Sequence, residues 1–212
     1  RDCLLSRGLG DVYKRQLQYL ASTAMEAGFS TRVLDMQALD LQNGRFFDPA
    51  GELVNRCFKL YPWEWMVDES PDGCLAEMEW LEPIWKLVMS NKAILATLYE
   101  LFPDSPYVLP CYLSRPRSGL FCKKPVFSRE GHNVSVVDIR NWEEHVRIAE
   151  TEGDYNTGAY VYQEYVEPTV YSGRYPVIGS WIIGGEAAGI GIRENRMEVT
   201  DNLSEFVPHI IG

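Results

Sequence analysis

Long apolar runs are missing from this sequence: no stretch approaches the roughly 18 residues that a membrane helix needs. The opening RDCLLSRGLG has neither the apolar centre nor the cleavage pattern of a secretion signal, so the cytosol is the expected compartment. Paired cysteines are absent too. Five cysteines, Cys3, Cys57, Cys74, Cys111 and Cys122, are odd in number and widely spaced without a Cys-x-x-Cys, so neither a zinc site nor a disulfide framework is signalled and they are read as reduced thiols. Basic charge is scarce. A net charge of −10 argues against a nucleic-acid partner, which would require a cationic stripe. It is compatible with a cationic substrate, although most acidic proteins are acidic for solubility alone. Repeats, low-complexity tracts, a G-x-x-x-x-G-K-[ST] loop and a G-x-G-x-x-G fingerprint are all lacking, which excludes the two commonest nucleotide cradles.

What is present is a globular composition over 212 residues, 46% hydrophobic and 24% charged, enough for one large domain or two small ones. Residues 1–16 stand apart. DVYKRQ resembles a translated transposon end of the sort used in sequencing libraries, and the segment is read as a non-native or disordered leader; the alternative is an ordinary amphipathic start. The leader carries four basic and two acidic groups, so the remainder has a net charge of −12. A chain that begins this way is expected to be a fragment, with residues 17–212 forming the carboxy-terminal part of a larger domain.

From residue 17, LQYLASTAMEAG predicts a helix stopped by Gly28, and TRVLDMQAL a strand. NGRFFDPAGELV predicts a hairpin around Asp48-Pro49-Ala50-Gly51, and FKLYPWEWM a break at Pro62 before a helix start. Two helical pieces follow, one with Leu81, Ile84, Trp85 and Val88 on a face, the other with Ile94, Leu95, Leu98 and Leu101. Ser90-Asn91 can cap the second, which puts Lys92 in its first turn, where an anion would offset the unfavourable helix dipole. Beyond a Pro-rich link at 103–116 the character turns to strands: FCKKPVF, NVSVVD, AYVYQEYV, YPVIGSWII and EAAGIGIR, with NWEEHVRIAE as an intervening helix. The expected class is α+β with mixed and antiparallel sheets, not a doubly wound parallel sheet.

Alternation along strands picks out polar residues on apolar faces. Lys124 shares its face with Cys122 and Val126, and a buried ammonium needs a compensating partner; the alternative is a lysine snorkelling at a sheet edge. In EAAGIGIR, Ile190 and Ile192 face one way while Gly189, Gly191 and Arg193 face the other, so a ligand could lie close to the glycines with the guanidinium on its oxygens. A bulged strand with a solvent-facing arginine would look the same. Between Lys124 and the next strand, SREGHN is a polar tip with Gly131 suited to a left-handed position, either a charged hairpin turn or a loop over phosphates. YQEYVEP is a strand running into a connector whose backbone could meet the edge of a base, or simply a strand end. Together these supply two lysines, a glycine-containing cover, a connector and an arginine, which is the inventory that phosphoryl chemistry uses.

FKLYPWEWM, WLEPIWKLVMSNKAIL, KPVFSREGHNV, YVYQEYV and IGSWIIGGEAAGIGIRENRMEVTDNLSEFVPHII resemble, in order, the synthetase part of the glutathionylspermidine synthase family, whose fold is ATP-grasp with a nucleotide cleft between subdomains. The resemblance covers roughly residues 17–211. It implies an ATP-dependent carboxylate–amine ligase that works through an acyl phosphate, joining an acid such as glutathione or another peptide to a polyamine-like amine. It implies Lys92 and Lys124 on the nucleotide phosphates, Gln163, Glu164, Tyr165 and Val166 as the adenine connector, and Arg129 and Arg193 at the reacting centre. Glu130, beside Asn133, is then the candidate magnesium ligand. The family segment with most magnesium ligands lies upstream of this sequence and no amidase domain is visible, so a nucleotide-binding module or an inactive fragment is the competing expectation.

Overall fold

The computed structural model describes residues 2–6, 11–148, 151–153, 155, 158–200 and 204–210. The chain divides into two compact units, residues 1–90 and 91–212. No helix among the described residues is long and apolar enough to cross a membrane.

In the first unit, β1 (Asp2–Ser6), β2 (Thr31–Asp35), β6 (Arg56–Lys59) and β7 (Glu79–Leu81) make a parallel sheet in the order β2-β1-β6-β7. The segment read as a leader thus contributes β1 and the first turns of α1 (Asp11–Glu26). Leu17 and Ala21, one turn apart on α1, are buried against Leu20, Phe58 and Leu60. Gly28 ends the run at φ +90°, donating its N–H to Met25 while Phe29 donates to Ala24, a left-handed stop that a side chain would resist. A small antiparallel sheet joins β3 (Asp40–Gln42), β4 (Arg45–Phe47) and β5 (Leu53–Val54). Its β4–β5 turn is built on Asp48, whose carboxylate accepts from the N–H groups of Ala50 and Glu52 and pairs with Arg32.

Phe46, Val54, Cys57, Tyr61, Trp63, Met66 and Trp80 form the core of this unit, with Trp80 edge-on to both Phe46 and Trp63. Pro62 precedes α2 (Trp63–Glu69), followed by the single turn α3 (Pro71–Cys74). Leu81 is a correction: it closes β7 and does not join a helical face, because pairing with β6 claims the segment first. Helix begins only at a 3-10 turn over Ile84–Lys86, continuing into α4 (Leu87–Ser90).

In the second unit, the Asn91 carboxamide accepts from the Ala93 N–H ahead of α5 (Ile94–Leu101). Lys92 therefore sits in the turn before the helix, not in its first turn. An antiparallel sheet runs β11-β10-β9-β12-β8, from β8 (Cys111–Tyr112), β9 (Gly119–Pro125), β10 (Ser135–Arg140), β11 (Glu143–Ile148) and β12 (Tyr160–Glu164). One face packs Phe121, Val137, Ile139 and Tyr162 together; the other receives α5, with Ala96 against Cys111 and Val161. A second antiparallel sheet follows, β13 (Tyr175–Ile183), β14 (Glu186–Asn195) and β15 (Glu205–Val207).

The helix expected in NWEEHVRIAE is replaced by β11. Asn141 and Trp142, both at positive φ (50° and 71°), form a two-residue turn that sets Arg140 opposite Glu143 and Val137 opposite Val146. Sheet pairing overrides the local helical spacing, and Glu144 on β11 then reaches the Lys123 ammonium at 2.7 Å. Cys57, Cys74, Cys111 and Cys122 are free thiols.

Candidate functional site

Lys124 lies on the α5-bearing face of the antiparallel sheet, opposite Val161, and the Cys122–Val136 pair lies on the same face. Its ammonium donates to the Gln163 carboxamide oxygen at 2.6 Å, and among the described residues no carboxylate comes within ion-pair distance of it. Lys123, on the opposite face, differs: burial alone would lower its pKa, but the hydrogen bond and charge of Glu144 outweigh that and raise it. The counter-charge goes to the structural lysine, and Lys124 is left facing a neutral amide.

Lys92 is placed from both ends. Its N–H donates to the Val126 carbonyl at 2.8 Å, and its ammonium donates to the Ser128 carbonyl at 2.6 Å and hydroxyl at 2.9 Å. This ties the turn before α5 to the start of the loop between β9 and β10. In that loop Glu130, Gly131 and Asn133 all take positive φ (58°, 74° and 54°), a costly path for two non-glycine residues and one that folds the tip back on itself. The His132 N–H closes it on the Arg129 carbonyl at 2.9 Å.

These pieces surround a cavity of about 310 Å³ lying wholly within the second unit. Lys92, Lys124, Arg129, Glu130, Tyr165 and Glu198 supply its polar wall, over a floor of Cys122, Val134 and Val136. Burial pushes the Cys122 thiol pKa up, only partly offset by the Lys124 charge, so the floor is neutral. Glu198, Val199 and Thr200, from the turn after β14, line the cavity too, with Val199 and Thr200 packed against Gly131 of the loop. The Tyr165 hydroxyl donates to Glu198 at 2.5 Å, and its N–H donates to the Leu120 carbonyl.

Of the residues selected from sequence, Lys92, Lys124, Arg129, Glu130 and Tyr165 meet at this cavity, and Gln163 adjoins it through Lys124. Glu164 and Val166 do not line it: both are exposed, and Glu164 is held by its N–H to the Pro110 carbonyl. Arg193 does not line it either. It lies on β14 between Val177 and Phe206, with its guanidinium 6.0 Å from the Phe206 ring. Sequence reasoning missed Ser128 and the Glu198–Thr200 turn, whose approach depends on how the second sheet returns over the first.

Residues 13–212 match the family described as glutathionylspermidine synthase preATP-grasp. The chain belongs to this family. It is 36% identical over 202 residues to a putative acid–amine ligase of Haemophilus influenzae, covering 91% of this chain and 51% of that protein. It is 36% identical over 130 residues to the trypanothione synthetase of Crithidia fasciculata, covering 60% of this chain and 19% of that one. The chain thus spans about half the length of the first relative. Its fold is similar to that of an ATP-grasp RimK domain protein of Sphaerobacter thermophilus, with a TM-score of 0.53 at 10% identity over 90% of this chain and 72% of that one. The α+β, ATP-grasp architecture is accordingly the fold of this family member.

Proposed function

We propose that the cavity is the nucleotide site of an ATP-dependent acid–amine ligase. The observation that carries this is Lys124, an inward ammonium with a neutral partner, sharing one cavity with Lys92 and Arg129. Three cations against two carboxylates, Glu130 and Glu198, leave this half-open cavity with an excess of positive charge, which favours an anionic ligand, and a triphosphate meets that requirement.

On this reading Lys92 and Lys124 hold the phosphates in line, and the Ser128–Asn133 loop covers them. Residues 163–166 run past the adenine edge. Transfer of the γ-phosphoryl group to a substrate carboxylate gives an acyl phosphate and ADP; an amine then attacks the acyl carbon and phosphate leaves, forming the amide. Arg129, and Arg193 once it turns from Phe206, offset the charge that develops on the transferring group. The names of the family and its relatives favour a peptide-like acid such as glutathione and a polyamine-like amine; the cytoplasm is the proposed compartment.

The donor set suits magnesium in one way only. Among the described residues no group of three or more His, Cys, Asp or Glu could hold a metal, so the ion would rely on phosphate oxygens and water with Glu130 as the protein ligand. Bound there, it would neutralise charge between neighbouring phosphates.

The position of Arg193 outside the cavity wall favours a second reading, a site that holds nucleotide without turnover. Phosphate release from ATP that requires both an acid and an amine supports the ligase. Magnesium-ATP binding with no such release supports the second reading, and no nucleotide binding at all overturns both.

A further inference from the structure

Thr151, outside the cavity, is bonded to the cover loop through its hydroxyl, its N–H and its carbonyl. The Thr151 hydroxyl accepts from the Val134 N–H at 2.9 Å and donates to the Gly131 carbonyl. Its backbone adds two bonds, N–H to the Val134 carbonyl at 3.1 Å and carbonyl from the Asn133 N–H at 3.0 Å. The Asn133 carboxamide accepts from the Tyr155 N–H at 2.9 Å, and the His132 and Tyr155 rings meet at 5.8 Å. Gly153 passes so close that a Cβ there would fall 2.4 Å from the His132 Cβ and 2.8 Å from the Asn133 carboxamide oxygen.

We propose that Thr151 is a positioning residue for the nucleotide cover, its hydroxyl holding the left-handed Glu130–Asn133 turn in a phosphate-ready shape before ligand arrives. The proposal rests on the nucleotide reading of the cavity. Thr151 itself lines no part of that cavity, so any effect on ligand passes through the loop. Its bond to Gly131 is the deciding contact: Gly131 and Asn133 both sit at positive φ, and a loop released from Thr151 would relax toward ordinary backbone angles. The polar cover would then have to be ordered at the moment of binding, at the expense of affinity.

The test is amide hydrogen exchange on the nucleotide-free full chain, with magnesium-ATP affinity measured beside it, for wild type, Thr151→Val and Thr151→Ser. Valine keeps the shape and removes both hydroxyl bonds, whereas serine keeps them. Thr151→Val is expected to exchange faster at Asn133 and Val134 and to bind magnesium-ATP about 5-fold more weakly, and Thr151→Ser to follow wild type in both. A loop in Thr151→Val as protected as in wild type, or unchanged ATP affinity, overturns the proposal. Should the valine variant fail to fold, wild type alone decides: a Val134 amide that exchanges like an unbonded one overturns it, and a protected one supports it. Loosening of the valine loop while wild type binds no nucleotide would leave the brace standing and sink the nucleotide reading.

Discussion

The Lys92 ammonium and the Ser128 carbonyl are 2.6 Å apart although 36 residues separate them in sequence. This contact joins the turn before α5 to the cover loop, so Lys92 organises the loop as well as facing the cavity. Lys92→Met should weaken magnesium-ATP binding roughly 10- to 100-fold, the effect of losing charge-assisted bonds. It should also loosen the loop. Lys124→Met, whose partner Gln163 lies outside the loop, should match the affinity loss while leaving loop exchange unchanged. Calorimetry paired with hydrogen exchange separates the two, and equal loop exchange in both variants would contradict the assignment.

Gly131 is the tightest point of the cover. A Cβ there would lie 2.2 Å from the Thr200 carbonyl oxygen, and its φ of +74° disfavours any side chain. Gly131→Ala should bind ATP poorly and cost about 1–2 kcal/mol from the backbone angle alone. Chemical denaturation and ATP titration check this; full retention of both would mean that the Thr200 turn is not seated on the loop.

Tyr165→Phe removes the hydroxyl bond to Glu198 and keeps the ring. With an anionic acceptor in a part-buried pair, the loss should be about 1–2 kcal/mol. Glu198→Gln should be milder, since the amide oxygen can still accept. Thermal denaturation of the two variants ranks them, and the reverse order would show that Tyr165 is not the principal partner of Glu198.

Lys59 governs a pH effect in the first unit. It is buried, donates to the Tyr61 carbonyl at 2.9 Å and lies 3.8 Å from the Trp63 ring centroid. Burial lowers its pKa from 10.5 to about 8 against the opposing pull of Glu82, Cys57, Glu64 and Cys74. Because the folded pKa is the lower one, the unfolded chain binds more protons between pH 8 and 10.5, and this residue's contribution to stability rises across that window. Below pH 8 its burial costs up to about 3 kcal/mol. Lys59→Met should therefore be more stable than wild type at pH 7, with the gap narrowing as pH climbs to 10.5. Denaturation curves at several pH values check the difference, and a gap that widened would reverse the assignment.

Much of this was legible in the residues. Alternation in FCKKPVF put Lys124 on the correct face with Cys122, and the Asp48 turn, the Gly28 stop and the Pro62 break are local chemistry that the chain announces. The failures share a cause. In NWEEHVRIAE the helical spacing was real but lost to pairing with β10, through a turn in which Trp142 adopts an angle usually left to glycine. Glu198 and Thr200 gave no signal because their role comes from a return of the chain over a distant loop. Thr151, likewise, becomes meaningful only once residues 131–134 are seen beside it.

The Asn141–Trp142 turn also bears on engineering. Its backbone is pinned by Trp142 to the Arg117 carbonyl and by Arg115 to the Trp142 carbonyl, both at 2.9 Å, so the bend survives with a bulky, solvent-facing indole at φ +71°. Swapping that indole for a hydrogen atom would relieve torsional strain at a residue that lines no part of the cavity. The hairpin is thus a spot where thermal endurance can be added to the chain without altering the cavity lining.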